Sequence, residues 1–318
     1  MKLKYNPISF VLEKSDETTK LDLLEFLGLL HLSQAKELTL DLLKTQMANG
    51  GFPSRLDPKI AGIRETCRTS ILLLRCGIPV DKLNIQAAVN FLLKHQRENG
   101  GWSENPKLSI PKEIVELSNE KSVTWITADV IGLLRNVGLG RKKACLRALS
   151  WLRECQCEDG GWFMFEGSGF EGSDPDSTAR ITFLMKEVYG ENDAVYLKGK
   201  RLTEKSLYKV AEDAERGFYM RPNSEKRTND IYHLTHLFLS PLVDTQERVQ
   251  SCCDLNDKRI KKIMRAIAIT QCGDGGWRPF WSNESDPIYT VLALKLLIWT
   301  STIKAEELRA YHRAHSQK

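Results

Sequence analysis

Apolar residues return every third or fourth position along most of this sequence, the spacing that lines one face of a helix. In residues 87–96 the stripe is Ala88, Phe91, Leu92 and His95. Ala148, Trp151, Leu152 and Cys155 form another, and Ile267, Ala268 and Gln271 a third. Between these amphipathic stretches lie more apolar ones, at 67–76, 122–137, 174–188, 230–239 and 286–299. Most are led by a Ser or Asp suited to cap a helix start. With an N-terminal pair at 21–30 and 34–46, the pattern predicts about twelve helices in six pairs and no convincing strand.

A short element punctuates the helices. Gly50-Gly51-Phe52, Gly100-Gly101-Trp102, Gly160-Gly161-Trp162 and Gly275-Gly276-Trp277 recur, with a worn copy at Arg216-Gly217-Phe218. The second glycines are 50, 60, 56 and 59 residues apart, and Gln46, Gln96, Gln156 and Gln271 each stand four residues before the first glycine of a copy. A fixed period of this length marks a repeat architecture. The glycines are expected to close the preceding helix in a left-handed conformation. The glutamine is expected to satisfy loop backbone orphaned by that ending, and the aromatic ring to pin the loop against the next repeat. One helix per pair is apolar enough to be buried and the other faces water. The expected fold is therefore all-α, an (α/α)6 toroid of about six helix-pair repeats. It forms a single domain over residues 1–318, with repeat elements ending near 52, 102, 162, 218 and 277.

Composition adds exclusions. At 42% hydrophobic and 27% charged the chain is an ordinary globular one. The net charge of +5 arises from 46 basic against 41 acidic residues, and no nucleic-acid motif accompanies it. The basic runs at 141–143 and 258–262 are solvated helix faces or contacts for a phosphate or an anionic membrane surface. The eight cysteines have no C-x2-C spacing and read as reduced, small apolar residues. Residues 1–14 lack the apolar core of a signal peptide, and no run reaches the length of a membrane span, so a cytoplasmic chain is expected.

One stretch carries chemistry: Gly172-Ser173-Asp174-Pro175-Asp176-Ser177-Thr178-Ala179. Ser173-Asp174-Pro175 lines up with Ser285-Asp286-Pro287, and Thr178 with Thr290, so Asp174 has a twin in Asp286 and fits a helix N-cap. Asp176 has none: its matching positions are Thr124 and Ile288. A carboxylate peculiar to one repeat is the leading functional candidate, although a helix dipole also favours an acid there.

The Q-x3-G-x-W element resembles the QW repeat of squalene-hopene cyclases and other class II terpene cyclases, over roughly residues 20–300. The acid stretch looks like the D-x-D-D-T-A motif of that family. Asp174, Asp176, Thr178 and Ala179 match, and Ser177 replaces the last aspartate. The resemblance implies an isomerase or lyase of isoprenoid biosynthesis in which Asp176 protonates an alkene or epoxide and starts ring closure. An alkene is a very poor base, so its proton donor must be strongly acidic and held in a dry pocket. Aromatic faces then stabilise the travelling carbocation. The resemblance also gives the acid a histidine partner, for which His233 is the candidate, beside Asp174 and Asp176; a satisfied histidine at a helix start fits it too.

Trp125, Phe165, Phe170, Tyr232 and Trp281 are the candidate substrate-binding walls, and residues 167–172 are a candidate lid or an ordinary loop. An isoprenoid diphosphate or related polyprenyl compound is the expected substrate, with no cofactor beyond Mg2+ accompanying a diphosphate. Class II cyclases place the site between two helical domains, so a second helical subunit or a homodimer is an expected partner, and peripheral membrane contact fits as well. Two other readings stay open. The chain also resembles a prenyltransferase β subunit, which binds zinc through D-x-C and a D-x-Y-H histidine; here Asp230-Ile231-Tyr232-His233 fits, but Asp176 replaces the cysteine. The third is a non-catalytic isoprenoid-binding toroid.

Overall fold

The computed structural model describes residues 2–112, 114, 116–168, 172–215, 256–278 and 284–316. Its helices in chain order are α1 (Pro7–Lys14), α2 (Glu17–Phe26), α3 (Ser33–Lys44), α4 (Ile63–Arg75), α5 (Leu83–Lys94) and α6 (Thr124–Asn136). There follow α7 (Lys143–Glu154), α8 (Pro175–Tyr189), α9 (Ala194–Glu215), α10 (Lys258–Ile269), α11 (Pro287–Trp299) and α12 (Ala305–Ser316). The predicted helix at 230–239 and the worn triplet at 216–218 lie outside the described residues. Among the described residues no helix is long and apolar enough to cross a membrane.

The chain divides into two compact units, Thr39–Leu202 and Met1–Leu38 with Thr203–Lys318. In the first, α6 packs between α4 and α8, while α5 lies on α4 and α7 on α6. The burial pattern follows the predicted division of labour. In α6 every residue from Thr124 to Ile131 is buried, whereas α7 buries only Cys145, Ala148, Leu149 and Leu152 and leaves Leu146 exposed. In the second unit α1 packs on α11 and α12, and α2 and α10 pack on α11.

The repeat loop is built the same way each time. Gln46, Gln96 and Gln156 donate from Nε2 to the first-glycine carbonyls of their own loops, at 2.7, 2.8 and 2.9 Å. The same nitrogens reach the start of the following outer helix, at the carbonyls of Asn84, Ala144 and Val195. Gln271 does likewise, but the partner it meets is Tyr5, just before α1. So α1 takes the place that an outer helix takes after the other described loops. The tryptophans of the triplets are buried and donate from Nε1 to the carbonyl ten residues earlier, at Leu92, Leu152 and Ile267, which ties each loop to its own preceding helix.

Two expectations change. The paired glycines do not close the outer helices, which end in short three-residue backbone turns such as Gln46 N–H to the Leu43 carbonyl. The first glycine comes later, in a turn donating three residues back (Gly100 to Arg97, for example), and its φ of 94° is needed there. A strand pair also exists: Phe52–Pro53 and Ala61–Gly62 pair antiparallel. It is the widened form of a contact all the described loops make, in which the triplet aromatic accepts at its carbonyl from the residue leading the inner helix. Val123 to Trp102, Asp174 to Trp162 and Asp286 to Trp277 are the other three, at 2.7, 2.7 and 2.9 Å.

Left-handed glycines instead close inner helices. Gly28, Gly77 and Gly138 have φ of 70°, 85° and 78°, and the residue after each donates back to the carbonyl five positions before that glycine's successor. Ser301 holds the same position after α11 at φ 55°. A side chain in this region costs energy that glycine avoids. Ser301→Gly is therefore expected to stabilise the protein by roughly 0.5–1 kcal/mol. The check is a urea midpoint that rises with unchanged slope.

Candidate active site

The loops set the register of the inner helices. The backbone N–H of each triplet aromatic donates to a threonine one turn inside the next inner helix: Phe52 to Thr66, Trp102 to Thr127, Trp162 to Thr178 and Trp277 to Thr290, at 2.8–3.0 Å. Counting from that threonine, Asp174 is equivalent to Gly62, Val123 and Asp286. Asp176 is equivalent to Arg64, Trp125 and Ile288. On α6 the anchor is Thr127, so the residue opposite Asp176 there is Trp125 and not the expected Thr124.

This register separates scaffold from candidate chemistry within the acid motif. Thr178 has a counterpart in each described loop. The carboxylate of Asp174 accepts from Ser177 N–H at 2.7 Å, as that of Asp286 accepts from Tyr289 N–H at 2.7 Å, so both cap their helices. Asp176 alone of the motif's acids stands where no other described repeat has a carboxylate, in the first turn of α8. Ser177 is fully buried, and its hydroxyl has no hydrogen-bond partner among the described residues.

One turn further along, the equivalent positions are Arg68 on α4, Asp129 on α6 and Arg180 on α8. They form a charged cluster inside the unit. Arg180 Nη1 donates to both oxygens of Asp129 at 3.4 and 3.2 Å, and its guanidinium lies 4.9 Å from the centre of the Trp125 ring. Burial pushes the Asp129 carboxyl up, while Arg180 and Arg68 pull against it. Nearer the helix starts, Arg64 pairs with Glu65 at 2.8 Å. Burial works to lower the Arg64 pKa, yet Glu65, Glu104 and Glu116 leave it raised. Glu104, from the loop after Trp102, accepts from the N–H groups of Ile63 and Arg64 and so caps α4 from the neighbouring repeat. Burial and then Glu65 push its carboxyl up.

Of the predicted walls, Trp125 is buried, donates from its indole to the Glu116 carbonyl at 3.1 Å, and carries Arg180 over its ring. Phe165 is half-buried in the loop bridged to Val123. Phe170, Tyr232, Trp281 and His233 lie outside the described residues, as do residues 169–171 of the candidate lid. The cluster of Arg64, Glu65, Arg68, Glu104, Asp129 and Arg180 escaped the sequence reading. The signal was present: charges four apart at 64/68 and 176/180, and Asp129 as the one charge in α6 before Arg135. Among the described residues no group of three or more His, Cys, Asp or Glu is placed to hold a metal ion.

The model of the squalene-hopene cyclase C-terminal domain matches residues 14–174, just over half of the 318 residues. The chain belongs to the squalene-hopene cyclase C-terminal domain family. No curated protein matches it by sequence. Among solved structures, a protein from Actinoplanes is similar over 90% of both chains at 17% identity and a TM-score of 0.54. The type II terpene cyclase MstE from Scytonema, in its apo form, is similar over 90% of this chain and 89% of its own, at 16% identity and a TM-score of 0.55. A variant of MstE in complex with geranylgeranyl dihydroxybenzoate, its substrate, gives 16% identity and a TM-score of 0.54 over 90% and 88%. At such identities the likeness speaks for the fold, and the all-α toroid class read from the repeats is the fold of this cyclase family. The family match ends at Asp174, so it does not reach Asp176.

Proposed function

We propose that this squalene-hopene cyclase family member starts ring closure of an isoprenoid by protonation, with Asp176 as the acid. The observation carrying the proposal is the register. Asp176 occupies the first turn of an inner helix, at a position filled by Arg64, Trp125 and Ile288 in the other described repeats and one turn before the buried cluster. A carboxylate peculiar to one repeat is not needed by the scaffold that the repeats share.

The reaction balances simply. The carboxyl proton of Asp176 adds to one carbon of an alkene and leaves a tertiary carbocation on the other. The π electrons of the next alkene form a carbon–carbon bond to that cation and pass the charge onward. The last cation loses a proton to a base, and Asp176 regains its proton from water. In this reading Asp174 fixes the start of α8, and His233 hydrogen-bonds Asp176 and sets its acidity. Trp125, Phe165, Phe170, Tyr232 and Trp281 are the aromatic walls that stabilise the travelling charge in this reading.

The test is incubation with geranylgeranyl and longer polyprenyl diphosphates, with a prenylated phenol, and with squalene, followed by mass spectrometry. Asp176→Asn is expected to reduce cyclised product by about 10^2–10^4, the usual range for a general acid. Asp174→Asn, which keeps an N-cap, is expected to retain the fold and most activity. Undiminished turnover in Asp176→Asn, or no cyclised product from any substrate, sinks the reading.

A further inference from the structure

Residues 103–122, between Trp102 and Val123, make the longest of the four triplet loops; the others run over 53–61, 163–173 and 278–285. Its ends are held together at the base. Val123 N–H donates to the Trp102 carbonyl at 2.7 Å, and Glu104 N–H to the Ser118 carbonyl at 2.8 Å. Beyond the base the chain runs out and back as a strap over the starts of two inner helices. On the way out Glu104 caps α4 through the N–H groups of Ile63 and Arg64, and the Asn105 amide donates to the Ala61 carbonyl at 2.8 Å. On the way back the Glu116 carbonyl accepts from the Trp125 indole at 3.1 Å, and the charge of Glu116 acts on Arg64. Arg64 and Trp125 hold on α4 and α6 the position that Asp176 holds on α8. The strap therefore lies at the level of the proposed acid, within the same unit.

Its hold is uneven. Ser103, Glu104, Asn105 and Leu117 are buried, whereas Pro106, Lys107, Ser109, Pro111 and Lys112 are exposed. The tip is tied down by buried Leu108, whose carbonyl accepts from the Asn119 side chain at 2.6 Å, and the returning leg by the bond of Glu116 to Trp125. Trp125 itself is only 6% exposed, with the Arg180 guanidinium 4.9 Å from the centre of its ring. A ring so enclosed is out of reach of a carbocation, so a wall role for Trp125 requires one of its neighbours to move. Arg180 is buried and paired with Asp129. The strap is a surface loop with a solvated tip, and such segments open locally while the helices beneath stay folded.

We propose that the strap is a gate: it withdraws from Trp125 by letting go at Glu116 and Asn119, and so admits the isoprenoid to the level of Asp176. What enters rests on the cyclase reading; the opening does not. The base, fixed by Glu104 and Asn105, stays in place and returns the strap to its seat after release.

The experiment follows exchange of the indole N–H protons by NMR on the full chain, with Trp125→Phe assigning the signal. The indoles of Trp102, Trp162 and Trp277 donate to helix carbonyls beneath their own loops and serve as references. The Trp125 indole is expected to exchange at least about tenfold faster than these three, because the strap opens without the helices. Asn119→Ala removes a tie, and Trp125 exchange rises a further roughly fivefold while the references keep their rates. Leu108→Ala loosens the same tip and gives the same sign. Geranylgeraniol seated against Trp125 keeps the strap withdrawn, so tryptic cleavage after Lys107 quickens several-fold when it is added. A Trp125 indole that exchanges no faster than the references, or that in both variants changes only in step with them, overturns the inference. So does cleavage that geranylgeraniol leaves unchanged up to its solubility limit. The gate and the acid fail separately. Fast Trp125 exchange and ligand-quickened cleavage without cyclised product leave the gate standing and remove the acid role. Cyclised product that is lost in Asp176→Asn, with Trp125 exchanging like the references, does the reverse.

Discussion

Asp129→Ala is expected to lower the unfolding free energy by about 3–5 kcal/mol, the range seen when one partner of a buried ion pair is removed. The side chain lies buried at the middle of the cluster, with Arg180 Nη1 within 3.4 Å of both its oxygens. Without it Arg180 loses its carboxylate partner among the described residues, and Arg68 loses part of the charge that offsets its own. The stacking of Arg180 on Trp125 does not replace the lost charge, since a cation–π contact is worth roughly 0.5–2 kcal/mol. Removing both charges is different. Asp129→Leu combined with Arg180→Met exchanges the pair for apolar volume, and such exchanges are often neutral or stabilising. The measurement is urea unfolding of the single and double variants. A single variant within about 1 kcal/mol of the wild type would mean that the pair is solvated or replaceable.

Gly275→Ala is expected to cost about 2–5 kcal/mol and to free the N-terminal helix from its own unit. Two effects add. Gly275 has φ 95°, a conformation that an alanine adopts only under strain. A Cβ there would also stand 2.4 Å from the carbonyl oxygen of Asn6, which is backbone and has nowhere to swing. That carbonyl belongs to the start of α1, the segment whose Tyr5 is held by Gln271 at both its N–H and its carbonyl. Neighbouring Gly276 would meet the ring of Phe10 on the same helix. Two glycines calibrate the result. Gly273 has open space around it, so Gly273→Ala is expected to be nearly neutral. Gly77 has φ 85° with nothing within 4 Å, so Gly77→Ala reports the backbone strain alone. Hydrogen exchange supplies the second readout: α1 amides lose protection in Gly275→Ala and keep it in Gly77→Ala. Equal stability of those two variants would show that the approach of Asn6 does not matter.

Much of the repeat was legible because it is local. The Gln, the two glycines and the aromatic residue lie within seven positions of one another, and each copy solves the same loop, so their recurrence announces the fold before any contact is known. The inner helices were legible for the same reason at 124–136, 175–189 and 287–299, where nearly continuous apolar residues leave little choice. The prediction began α4 at residue 67 and missed its first turn, which the structure starts at Ile63. That turn carries Arg64 and Glu65, charges that look like loop until Glu104 caps them from the next repeat.

Sequence by itself thus determined what the period and the polarity of single stretches can encode: an all-α repeat chain, its loop chemistry, and Asp174 as a cap distinct from the unrepeated Asp176. Tertiary structure decided what depends on residues far apart in the chain. The register that sets Trp125 opposite Asp176 comes from a loop N–H meeting a threonine 13–25 residues away. The pairing of Asp129 with Arg180 spans 51 residues, and the docking of Tyr5 on Gln271 spans 266. A buried charge and a solvated one are written with the same letter. Only the packing of three inner helices around them buries these groups and makes their pairing a matter of energy.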